Sequence, residues 1–134
     1  MAKYYNDSTA TYPIDNVFGV ENPESYECHV KRYDSRLSYL EIYTRPLDQS
    51  SLQESFFSFV FNAVEYFEGT MTWIGANFRI APPNECIQIA RKMPYQHKMT
   101  DQEILDFYDL YVVESKQSQI KILAGSGGMV AVKE

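Results

Sequence analysis

A chain of 134 residues with 45% apolar content has the size of one domain and enough apolar surface for a real core. Its net charge of −6 argues against broad binding to nucleic acid or anionic lipid, which a positive field usually drives. Two cysteines, Cys28 and Cys86, permit at most one disulfide; with no signal peptide ahead of them and no apolar run near the ~20 residues of a membrane span, a soluble cytoplasmic protein with reduced thiols is expected.

The aromatic content is high, with eleven Tyr, eight Phe and one Trp. Such side chains bury large areas, and Tyr also suits interfaces because its ring is apolar while its hydroxyl tolerates water. Charge is unevenly spread: residues 79–98 sum to +3, while the rest of the chain is acidic. This basic island holds Arg79, Arg91, Lys92 and Lys98 against Glu85. A solvated face is the simpler reading, and a dock for an acidic partner the sharper one.

In chain order, residues 1–12 are polar and aperiodic and read as a mobile tail ahead of a single α+β domain over residues 13–134. Ile14 to Val20 suits a short strand or turn. From Tyr26 to Thr44 the pattern is that of a hairpin. Tyr26, Cys28 and Val30 alternate with polar neighbours, Asp34 and Ser35 supply the turn, and Leu40, Ile42 and Thr44 alternate with Tyr39, Glu41 and Tyr43. One face of the second strand then packs inward and the other carries Tyr.

Ser51 to Gly69 reads as a long aromatic helix. Ser51 and Glu54 have the spacing of a capping box, and Gly69 offers a left-handed stop. Leu52, Phe56, Phe59, Val60, Ala63 and Phe67 make one stripe, and Phe57, Phe61 and Val64 make a second. Together they cover roughly 220° of a helix, more than the single stripe of a surface helix. The second stripe is therefore buried under another element or offered to a partner.

Thr70 to Ala81 favours strand, and Gly75 within it marks a bulge, a close backbone approach or a tight hairpin between Trp73 and Phe78. Pro82 and Pro83 stop the strand. Asn84 is expected to cap a short helix with Cys86, Ile89, Ala90 and Met93 inward. Thr100 and Glu103 form a second capping-box pattern, flanked by the Met99–Ile104 staple, and open a helix expected to run from Asp101 to about Ser115. Two strands, about Gln119–Leu123 and Met129–Lys133, follow, with Gly125 to Gly128 suiting a loose hairpin or a fraying tail. The expected fold is α+β, an antiparallel sheet with the long aromatic helix and two further helices packed mainly on one face.

Chemistry has few footholds. Cys28 and His29 are adjacent, so on a strand they point to opposite faces and cannot readily chelate together; no metal and no cofactor is expected. A catalytic Cys86 would need a base beside it, and an inert buried thiol is the preferred reading. Asp106 and Asp109 lie on one predicted helical face, where a solvated surface is the ordinary outcome. The Gly125–Gly128 run lacks the Lys and the following helix of a phosphate loop. Trp73, Phe78 and Tyr95 beside the basic island would suit base stacking, but the acidic balance opposes it.

The stretch Trp73 to Pro83, WIGANFRIAPP, resembles small cyanobacterial assembly chaperones for carboxysome shells. That resemblance implies a non-enzymatic α/β protein that receives a peptide segment of a shell or scaffold protein, and it carries no residue roles across. Independently of it, the residues favour a small non-enzymatic protein-binding module, an adaptor, inhibitor or assembly factor. Its expected contacts are Phe57, Phe61, Val64, Tyr39 and Tyr43, with Arg79, Arg91 and Lys92 steering, and a homodimer through the same surface is a further expectation. The competing expectation is a small enzyme or ligand binder with a pocket near Gly75, lined by Trp73, Cys86, Tyr95 and His97.

Overall fold

The computed structural model describes residues 12–48, 56–94, 98–116 and 118–131. The hairpin expected between Tyr26 and Thr44 is present as β1 (Tyr26–Asp34) and β2 (Tyr39–Pro46), paired antiparallel with a bulge between Val30 and Arg32. Cys28, Leu40, Ile42 and Thr44 are buried on one face, while Tyr39, Glu41, Tyr43 and Arg45 alternate with them and stay partly exposed.

The expected long helix is replaced by strands. Phe57–Asn62 is β3 and Tyr66–Glu68 is β4, while Ser51 and Glu54 lie outside the described residues. Dense apolar content satisfies two periods at once here, and period 2 wins. Phe57, Phe59 and Phe61 all point into the core, and β3 pairs along its length with β2. Aromatic and β-branched side chains fit a pleated surface better than the preceding turn of a helix. Ala63, with φ of 53°, turns the chain out of β3, and the Val64 N–H donates to the Ser38 carbonyl at 2.9 Å.

Beyond it, β5 (Thr72–Ile74) and β6 (Arg79–Ile80) do not form a hairpin about Gly75, because they belong to different sheets. The short helix α1 (Pro83–Ala90) starts on Pro82 as N-cap with Pro83 in its first turn, one position where a missing N–H costs nothing, so Asn84 is inside the helix rather than its cap. The second helix α2 (Asp101–Phe107) has the expected capping box: Glu103 N–H donates to Thr100 Oγ1 at 3.1 Å and Thr100 N–H to the Glu103 carboxylate at 2.9 Å. It ends seven residues on, and Asp109–Glu114 is β7, not more helix. Leu110, Tyr111, Val112 and Val113 are buried on both sides, the signature of a central strand. Phe107, the last residue of α2, is 51% exposed, whereas Ile104 one turn earlier is fully buried. The last strands are β8 (Gln119–Ala124) and β9 (Ser126–Ala131), which are not a hairpin either: β8 pairs with β7 and β4, β9 with β3.

Two antiparallel sheets result, ordered β5-β1-β2-β3-β9 and β4-β8-β7-β6. Their facing sides share one core that includes Cys28, Ile42, Phe59, Trp73, Phe78, Tyr111 and Ile122. A second core lies on the far side of the four-stranded sheet, where Cys86, Ile89 and Ala90 of α1 and Ile104 of α2 meet Leu110, Val112 and Leu123. The layers are therefore sheet, sheet, helices, a sheet-rich fold with two short helices among the described residues.

Phe18, in the segment before β1, plugs the sandwich. Its ring stacks on Tyr111 with centroids 5.7 Å apart and lies 5.1 Å from Phe59 and 5.9 Å from Phe78. The expected element over Ile14–Val20 amounts to an isolated bridge, Ile14 to Ile80. Gly127 of β9 is the complement of this plug: a Cβ there would stand 2.9 Å from the Phe61 ring and 3.1 Å from Phe18, too close for any side chain.

Candidate interaction surface

The two sheets differ in what covers their outer sides. The helices lie over the four-stranded sheet, whereas the outward residues of the five-stranded sheet have no helix among the described residues packed on them. On that outer face, strand registers place Ile74, Glu27 and Arg45 in one row and Thr72, His29, Tyr43, Ser58 and Val130 in the next. Glu41, Val60 and Gly128 make a third row.

Aromatic rings and charges interleave across these rows. The Phe56 ring stacks on Tyr43 with centroids 6.0 Å apart and planes 11° from parallel. Lys31 lies 5.9 Å from the Tyr43 centroid and the Arg32 guanidinium 5.5 Å from that of Tyr39, both within cation–π range. The charges are mutually compensated: Arg45 bonds Glu27 at 3.1 Å and Lys31 lies 3.6 Å from Glu41. His29 stands between Glu27, at 2.5 Å, and the Thr72 hydroxyl, at 3.2 Å. Ser58 is buried in the middle of this face, and its hydroxyl has no hydrogen-bond partner among the described residues.

The structure sorts the residues named from sequence. Tyr39 and Tyr43 lie on this outer face, half-buried. Phe57, Phe61 and Val64 do not: they are 8%, 0% and 6% exposed and belong to the core between the sheets, Val64 alone also lining a surface groove of about 290 Å³ with Val30, Phe67 and Met71. The helical wheel placed them on a separate stripe, but in a strand Phe57 and Phe61 share the inward face with Phe59. The basic residues are elsewhere. Arg79 is on β6 and is bonded to Glu114 at 3.1 Å, and Arg91, just past α1, bonds Asp101 at 2.6 Å and the Met99 carbonyl at 2.7 Å. Lys92 follows on the same helix end, exposed. They belong to the four-stranded sheet and helix layer, away from the tyrosines, and the cations beside the rings are instead Lys31 and Arg32. The spacing of β1 and β2 held that signal, since Lys31, Arg32, Tyr39 and Tyr43 all fall in one hairpin.

The pocket expected near Gly75 is not assembled. Trp73 lies in the core between the sheets and Cys86 in the helix-side core, while Tyr95 and His97 lie outside the described residues. Gly75, with φ of 122°, is a structural lock: its carbonyl accepts from the Trp73 indole N–H at 2.9 Å and from the Cys28 thiol at 3.4 Å. Burial, with the Glu27 charge nearby, pushes the Cys28 thiol up to about 12, far from the thiolate a nucleophile needs. The Cys86 thiol donates to the Tyr108 carbonyl at 3.7 Å. Asp106 and Asp109 are likewise divided, one on α2 and the other buried on β7.

A separate cleft of about 650 Å³ opens along the β6 edge, with Asp15, Glu24, Arg79, Glu85 and Glu114 around it. Among the described residues no three His, Cys, Asp or Glu side chains are grouped to hold a metal ion, and no helix is long and apolar enough to cross a membrane. Comparison with protein-family models, curated proteins and solved structures finds no match to this chain, so the likeness of Trp73–Pro83 to shell-assembly chaperones stands on that segment alone.

Proposed function

We propose that this chain is a small non-enzymatic protein-binding module, an adaptor, inhibitor or assembly factor, whose contact surface is the outer face of the five-stranded sheet. One observation carries the reading. A sheet side on which no helix among the described residues packs carries Tyr39, Tyr43, Phe56 and Val60 on one face, interleaved with the Lys31–Glu41 and Arg45–Glu27 pairs. Tyr and Arg are among the side chains that most often anchor interfaces: Tyr supplies large, rigid contact area at small entropic cost, and Arg a planar fork of hydrogen-bond donors. Net compensation of the local charges suits another protein surface better than a polyanion.

The test is affinity capture from native extract with the intact chain and with Tyr39→Ser/Tyr43→Ser, each checked for an unchanged circular dichroism spectrum. The expected result is a reproducible partner captured by the native chain and lost by the folded double variant. A partner retained by that variant assigns the tyrosines to sheet stability alone.

A further inference from the structure

A sheet edge exposes backbone donors and acceptors at every second residue, and proteins usually guard such edges with short strands, Lys, Pro or a bulge. Three of the four edges here are guarded or too short to template a partner. β5 and β4 are three residues long, and β6 is two residues, bridged by Ile14 and followed by Pro82 and Pro83. The fourth is different. β9 is six residues, Ser-Gly-Gly-Met-Val-Ala, fully paired to β3 on one side, and among the described residues no strand lies on its other side. It carries no charge and no proline, and the sequence from Ile122 to Val132 is uncharged throughout, in a chain of net charge −6.

Both faces of β9 also end in uncovered apolar side chains. Met129, opposite Phe59 in register and so on the side facing the other sheet, is 48% exposed; Val130, on the outer side, is 50% exposed. A strand seated against this edge must therefore bring something apolar or small to both faces, with no charge to repel or be buried. The β9 of a second copy meets every requirement.

We propose that β9 pairs antiparallel with β9 of a second copy of this chain about a two-fold axis normal to the sheet, joining two five-stranded sheets into one. Opposed residues of an antiparallel pair share a face, so the axis must pass through a residue and not between two. Centred on Met129, the pairing sets the two Met129 thioethers against each other on the inner face. It sets each Val130 against the partner subunit's Gly128 on the outer face, large against small. Every contact is made twice, as a two-fold interface demands.

Light scattering at increasing concentration, together with cysteine cross-linking, tests this on the full chain. The native chain is expected to reach twice the chain mass. Val130→Lys adds a cation on the exposed outer face of the edge strand, opposite Ser58 of β3, keeps the backbone pairing to β3, and is expected to raise the dissociation constant at least about tenfold. Mixing Val130→Lys with Val130→Glu is expected to restore the dimer, because the two positions lie diagonally across the axis, about 7–8 Å apart. Met129→Cys, with copper-phenanthroline as oxidant, is expected to form an intermolecular disulfide, since opposed Cα atoms at ~4.5–5.5 Å fit that bond. Leu37→Cys, on the exposed β1–β2 turn, is the control and is expected to cross-link only slowly. A native chain that stays at the mass of one copy at all concentrations overturns the proposal. So does a dimer in which Met129→Cys cross-links no faster than Leu37→Cys. These outcomes leave the tyrosine surface unaffected, since its test uses neither β9 nor self-association.

Discussion

The outer faces of the two sheets make a natural contrast. Along β7, under the helices, five consecutive residues from Asp109 to Val113 are buried, whereas along β2 burial alternates strictly with partial exposure from Tyr39 to Pro46. Leu110 and Val112 look outward from their sheet just as Glu41 and Tyr43 do from theirs, yet the first pair meets Ile89 and Ile104 and the second meets Phe56, Lys31 and neighbouring strands. A face meant to be covered inside the chain is aliphatic. The other carries rings with hydroxyls and paired charges, which tolerate water until something else displaces it.

The contrast breaks most readily at equivalent outward positions. Leu110→Ala is expected to cost about 3 kcal/mol in urea unfolding, because it opens a cavity beneath two helices. Val60→Thr, outward on β3 and partly exposed, is expected to cost under about 1 kcal/mol. Equal losses at both positions would mean that the five-stranded sheet is covered as thoroughly as its neighbour. A smaller effect tests the helical cover itself: Thr100→Ala removes the side-chain acceptor for the Glu103 N–H and is expected to lower stability by about 1 kcal/mol, with exchange of the α2 amides accelerating first. The smallest belongs to the open face. Ser58→Ala deletes a buried hydroxyl that has no partner among the described residues, so thermal unfolding is expected at the same or a slightly higher temperature; a clear loss of stability would show a hydrogen bond at that hydroxyl.

Much of the fold was legible where one signal stood alone. The β1–β2 hairpin followed from clean alternation around Asp34 and Ser35, and the α2 start from the Thr100/Glu103 capping box, because both are local and are satisfied within a few residues. The aromatic stretch at Phe56 to Phe67 was misread because its apolar residues are too crowded to favour one period. Only the chance to pair with β2, a contact made across the chain, selects strand. The helix after Thr100 was overextended for the same reason: Tyr108 onward keeps a helical spacing of apolar residues, but β8 and β6 were waiting on either side of β7.

The candidate surface was half legible. Tyr39 and Tyr43 were placed on an outer strand face by alternation alone, and Cys28 and His29 on opposite sides of theirs. Phe57, Phe61 and Val64 were not, because an error of period moves a side chain from one face to another. The steering cations were sought by summing charge along the chain, whereas proximity in a sheet follows register. Lys31 and Arg32 sit beside the tyrosines, while Arg79 and Arg91 are held by Glu114 and Asp101.

The amino-acid sequence by itself determined a sheet-bearing domain rich in aromatic side chains, the β1–β2 hairpin, and the presence of two helices, one soon after Pro83 and one opening at Thr100. These follow from composition, short-range spacing and turn chemistry, all of which act within a few residues. Tertiary structure alone decided that β5 and β6, or β8 and β9, part into different sheets, that Phe18 closes the sandwich, and that the described helices cover one sheet and not the other. Those outcomes depend on long-range pairing and on which apolar faces find each other, and no window of neighbouring residues contains that information.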